Sequence, residues 1–218
     1  MGKEKDALIH LKKVVETYPG TEEAKSALNN IKTIYIESNN VDEFIAYTKK
    51  IPEAEITQTE QDSISYQAIE NQYMNGDCQK AINGFKDYIS KYPDGAFYAS
   101  ANYYLADCLM KNAQNQEALQ AYENIIIKPK NEFTEKAILK AANLNFENNN
   151  YEKALQEFCL LEQTAEISNH KLQALLGEME CYYLLNKFDS TIIVSNKILS
   201  KKKTDENISE KASYYLAK

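Results

Sequence analysis

The residues best able to carry out covalent or proton-transfer chemistry are few and scattered. The two histidines, His10 and His170, stand 160 positions apart, whereas a catalytic or metal centre needs such groups to converge in space. The four cysteines, Cys78, Cys108, Cys159 and Cys181, are spaced by 30, 51 and 22 residues, with none of the close pairing that zinc and redox centres use. They are expected as buried free thiols that pack like small apolar groups. Cys78 and Cys108 could also meet across neighbouring structural units, a geometry that spacing alone does not establish. No His-Glu-x-x-His, Gly-rich phosphate loop or Gly-x-Ser-x-Gly occurs. Scattered Asp and Glu read as the solvated faces of helices. We therefore expect no catalytic residue, no cofactor and no metal site, and the chain is not expected to be an enzyme.

With 32 acidic against 25 basic residues the net charge is −7, which repels a nucleic-acid backbone and argues against nucleic acid as partner. The compact basic run Lys201-Lys202-Lys203 reads as a solvated loop. No apolar stretch approaches the ~20 residues of a membrane span, so this segment is not expected to insert into a bilayer. The opening "MGKEKDALIHLKKVV" is a charged amphipathic helix without a secretory apolar core.

What would have to position any functional side chain is a repeating element. Few Gly and Pro, no Trp, and abundant helix formers predict an all-α fold. An Ala followed four residues later by an aromatic occurs as Ala81/Phe85, Ala118/Tyr122 and Ala154/Phe158. The same slot holds Ala7, Phe44 and Thr191, so the six positions step by 37, 37, 37, 36 and 37. Each period contains two helical stretches parted by helix-ending segments such as "YPGT", "NGD" and "ENNN". A small side chain lets two crossing helices approach, and the aromatic fills the wider gap beside it. Phe44 and Thr191 break that rule, so their units are expected to pack less regularly.

The motifs resemble the tetratricopeptide repeat family, on Ala106, Ala118, Tyr122 and Pro129, and on Ala81, Phe85 and Pro93. The early Trp of that family is missing from every unit, and Lys32 falls near a slot meant for a small residue. The long period and the Tyr-Pro break in "KAINGFKDYISKYPDGAFYASANYYLAD" are similar to bacterial envelope members such as outer-membrane assembly lipoproteins and Tol-Pal coordinators. That likeness favours the periplasm or envelope over the cytoplasm. The resemblance implies a right-handed superhelical solenoid of antiparallel helix hairpins with a period of about 37. Residues 1–20 are expected as the second helix of an interrupted repeat. Full repeats follow at 21–57, 58–94, 95–130, 131–167 and 168–204, with a partial first helix at 205–218. Because "ASYYLAK" at 212–218 restates "ANYYLAD" at 101–107, the natural chain is expected to continue in both directions.

In such an array the first helices line the concave side. Taking Ala106 as reference, the groove positions are Tyr66, Glu70, Tyr103, Asp107, Met110, Lys111, Leu139, Asn143, Phe146, Glu147, Leu176, Glu180, Tyr183 and Leu184. Leu139, Lys111, Glu147 and Leu184 complete the levels; the candidate protein-binding residues are the other ten. The third unit admits a one-residue slip, since aligning Ala68 with Ala106 leaves 38. Acidic Glu70, Asp107 and Glu180 at one level, beside aromatic and apolar neighbours, would suit a peptide or protein partner with basic and apolar side chains. The family's carboxylate clamp for chaperone tails is matched at Asn143 alone, so peptides ending in acidic residues are expected not to bind. The competing reading is a structural spacer or assembly element of a larger envelope protein, contacting partners through its outer faces.

Overall fold

A computed structural model describes residues 2–51, 54–201 and 206–217. Lys202 and Lys203 of the expected lysine loop, and Lys218 of the last partial helix, lie outside the described residues.

Twelve helices are described, and no strand is found among these residues. They are α1 (Gly2–Thr17), α2 (Glu22–Glu37), α3 (Val41–Thr48), α4 (Gln58–Met74), α5 (Cys78–Lys91), α6 (Tyr98–Lys111), α7 (Asn115–Ile126), α8 (Thr134–Glu147), α9 (Tyr151–Thr164), α10 (Ser168–Leu184), α11 (Phe188–Leu199) and α12 (Glu206–Ala217). The fold is all-α, as the composition and periodicity require. The helices group into two compact units, one ending at Cys108 and the other beginning at Leu109.

Hairpins turn the same way at each recurrence because one backbone device repeats. Asn39, Gly76, Ala113, Asn149 and Asn186 all have φ between 54° and 79°, the left-handed region that ends helices. Their amides bond to Ile36, Tyr73, Met110, Phe146 and Tyr183 carbonyls, while the next amide reaches back to Tyr35, Gln72, Leu109, Asn145 and Tyr182. These are paired 5→2 and 6→1 bonds that satisfy the last orphan carbonyls of the first helix. The positions step by 37, 37, 36 and 37, five residues ahead of the Ala slot each time.

That slot behaves as close approach demands. Ala81, Ala118 and Ala154 are fully buried, and Phe85, Tyr122 and Phe158 beside them are at most 3% exposed. Counting from the turns puts Ile69, not Ala68, level with Ala106. The larger side chain is tolerated because Gly84 faces it: a Cβ on Gly84 would sit 3.0 Å from Ile69. With Phe44 in the slot, α3 has only 8 residues, so that unit does depart from the regular form. Thr191 instead fits, buried, its hydroxyl donating to the Lys187 carbonyl at 3.2 Å.

Two hairpins are each fastened to the turn that follows by one buried carboxylate. Asp62 on α4 accepts from the Ala96 amide at 2.8 Å and from the Tyr88 hydroxyl. Glu135 on α8 accepts from the Glu166 amide at 2.8 Å and from His170 Nδ1 at 2.9 Å. Both stand fourteen residues before their turn residue, Gly76 or Asn149, so they are one device used twice.

The cysteines correct the sequence expectation in part. Cys78, first residue of α5, and Cys108 on α6 form a disulfide with Cα atoms 5.2 Å apart, inside the range that a bridge accepts. Cys159 and Cys181 are free thiols, the latter buried.

Candidate peptide-binding groove

In the first unit the groove positions are supplied by α4 and α6. Tyr66 is only 5% exposed. Its ring stacks on Phe97 at 4.5 Å and its hydroxyl donates to Glu70 Oε1 at 2.9 Å. Tyr66 is thus a packing residue that orients Glu70. Tyr73 occupies the level of Met110, Phe146 and Tyr183. It stacks on Tyr104 at 4.7 Å and donates to Asp107 Oδ2 at 2.9 Å. Burial, then the bond to Asp107, pushes the Tyr73 phenol up to about 12. Half-buried Tyr103 is raised by burial and by Asp107. Both acids at the expected groove positions of this unit therefore hold phenol donors.

In the second unit α8 and α10 bring Leu139, Asn143, Phe146, Leu176 and Glu180 to the wall of one cavity of about 210 Å³. Phe158, Gln173, Gly177 and Lys211 complete its lining. A Cβ on residue 177 would overlap the Phe158 ring, so glycine there is what lets α9 and α10 close on each other. Glu180 is paired with the Lys211 ammonium of α12, the two side chains being 18% and 49% exposed. Tyr183 lies edge-on to Tyr215 of α12 at 5.0 Å and to Phe188 at 5.9 Å. Met110, at the start of this unit, is half-buried.

Elsewhere in the unit a wider cavity of about 440 Å³ surrounds Lys130, Glu135, Lys136, Glu166 and His170. Burial would raise Glu135, but the Glu166 amide, His170, the Ile167 amide and Lys130 outweigh it and hold the carboxyl at about 2. The His170–Glu135 pair braces the turn before α10. Two further acids are pushed up to about 7. Burial raises Glu157 against the pull of Asn145 and Lys153; burial and Glu162 raise Glu178 against Lys197. Among the described residues no group of three or more His, Cys, Asp or Glu is placed to hold a metal ion, and no helix is long and apolar enough to cross a membrane.

A family model for a tetratricopeptide repeat-like domain matches residues 45–178. The chain belongs to the tetratricopeptide repeat family. A solved structure agrees on the fold. PilF of Pseudomonas aeruginosa is similar at 14% identity, with 98% of this chain and 90% of that one covered and a TM-score of 0.51. A putative kinesin light chain from Podosopora anserina, described as having nearly identical TPR-like repeats, is similar at 11% identity, 88% and 94% coverage and a TM-score of 0.48. MamA is similar at 21% identity, 82% and 91% coverage and a TM-score of 0.41. No curated protein matches the chain in sequence.

Within this tetratricopeptide frame, register arithmetic places five of the second unit's groove residues around one cavity. It passes over Tyr73, although that residue shares the level of Phe146 and Tyr183 and was readable from the 37-residue step. It also passes over Gly177, Phe158 and Lys211. A single glycine in "LLGEME" and a lysine beyond the last full repeat carry no signal until the helices are packed.

Proposed function

We propose that this tetratricopeptide repeat protein is a non-enzymatic scaffold that binds a peptide or protein partner through its groove positions. The supporting observation is the cavity of the second unit, where apolar Leu139, Phe146 and Leu176 lie beside the Asn143 amide and the Glu180 carboxylate. At about 210 Å³ it is smaller than the ~300–1,000 Å³ of small-molecule sites and suits one or two side chains of a longer ligand. Tyr103 and Asp107 offer the same mixture in the first unit, with Glu70 held by Tyr66. The partner proposed is one with apolar and basic side chains. We place the protein in an oxidising setting such as the bacterial periplasm or envelope, a reading that the Cys78–Cys108 bridge supports.

A structural role through outer faces has its own support in α11, where Phe188, Ile192 and Ile193 are 51%, 44% and 67% exposed. The two readings separate experimentally. Displayed random peptides selected on the folded protein should lose binding to Leu176→Lys and keep it for Ile193→Lys. Selected peptides that bind Leu176→Lys as well as the parent would refute the groove.

A further inference from the structure

The cavity of the second unit already holds a basic side chain. Lys211 comes from α12, where Ala212 is buried in the core formed with Leu175, Met179, Val194 and Ile198, Ile208 and Tyr215 pack against that core, and Tyr215 also lies edge-on to Tyr183. The Glu180 side chain is 18% exposed, and the Lys211 ammonium paired with its Oε1 covers that oxygen. The Lys211 ammonium does this while half its side chain stays exposed. A partly exposed carboxylate that loses its cation forfeits the worth of that ion pair, so a partner that displaces α12's lysine binds better if it supplies a cation in its place.

We propose that Lys211 is an internal stand-in for the partner, and that the second-unit groove selects a segment placing a Lys or Arg against Glu180 and an adjacent large apolar side chain between Leu139, Phe146 and Leu176. This rests on the groove reading above and adds its charge rule. The incoming cation takes over the Glu180 ion pair and the released Lys211 passes to water, so no net charge is buried by the exchange. An acidic side chain meets Glu180 itself and is rejected. A neutral one either leaves Lys211 in place and loses the head-group contact, or strands Glu180.

The test uses acetylated Arg-Phe and Phe-Arg amides against Gln-Phe and Phe-Gln controls, titrated into the isotopically labelled chain while the amides of Asn143, Gly177 and Glu180 are followed by NMR. Lys211→Ala should tighten the arginine probes by a few-fold to about tenfold, the worth of one partly exposed ion pair, and change the glutamine probes less than about twofold. Glu180→Gln added to Lys211→Ala should erase the gain. Lys211→Gln, which keeps the stem packed against the cavity, should repeat the result if truncation loosens α12. An unchanged arginine-to-glutamine ratio, with the cavity amides still responding to the probes, overturns the stand-in and leaves the groove intact. No response of these amides to any probe overturns both.

Discussion

Replacing Glu157 by Gln should stabilise the protein above neutral pH, and the structure sets the size of the effect. Glu157 on α9 is 8% exposed, and its Oε2 accepts from Asn145 Nδ2 at 2.8 Å. Asn145 Oδ1 is buried with no hydrogen-bond partner. A protonated carboxyl can supply that oxygen with a donor; a carboxylate cannot. Burial first, against the pull of Asn145 and Lys153, moves the carboxyl from its ordinary 4.5 to about 7. The folded state then binds this proton more tightly than the unfolded chain. The contribution is fully present below pH ~4.5 and is lost as pH rises through ~7, at ~1.4 kcal/mol per pH unit. Across that window the loss is about 3 kcal/mol. Glutamine carries both a donor and an acceptor at every pH, so Glu157→Gln should match the parent near pH 5 and exceed it by about 3 kcal/mol at pH 8. Urea unfolding at a series of pH values measures this. The difference between the two proteins cancels the contribution of Glu178, the other acid raised to about 7. A difference that does not grow between pH 5 and pH 8 would refute the reasoning.

Three further outcomes are expected. Reducing or replacing the Cys78–Cys108 bridge releases a loop of sequence separation 30, which should lower unfolding stability by about 3.5 kcal/mol; thiol titration of the denatured, unreduced chain should find two reactive thiols, and four would contradict the bridge. Ala113 holds φ 58°, where an L side chain costs ~1–2 kcal/mol, so Ala113→Gly should gain about 0.5–1 kcal/mol after the entropy of glycine in the unfolded chain is subtracted; a loss in thermal unfolding would contradict the turn. Gly177→Ala should cost ~1–3 kcal/mol by overpacking Phe158, and Phe158→Leu in that background should recover part of it; additive losses would show that the two do not collide.

Much of the fold was legible because it rests on features that leave one-letter traces. Ala81, Ala118 and Ala154 with their aromatics mark the crossing points, and the interval between them gives the period. The turn residue was harder to see, since Asn, Gly and Ala all serve at it, and Ala113 bears no mark of a left-handed backbone. The left-handed turns settle Ile69 over Ala68 as the residue level with Ala106, and Gly84, which makes room for the larger side chain, lies on the next helix, outside any short local window. The cavity positions Leu139, Asn143, Phe146, Leu176 and Glu180 followed from register alone. Tyr66 shared that register yet is buried, because Phe97 in the following turn stacks over its ring. Lys211 and the disulfide depend on where side chains point, and spacing does not encode that.

The groove claim is tested most directly by the footprint of a selected peptide on the amide spectrum of the intact chain. Perturbations centred on Leu139, Asn143, Phe146, Leu176 and Glu180 are the predicted result. Perturbations confined to the exposed apolar face of α11, at Phe188, Ile192 and Ile193, with those five amides unmoved, would contradict the account.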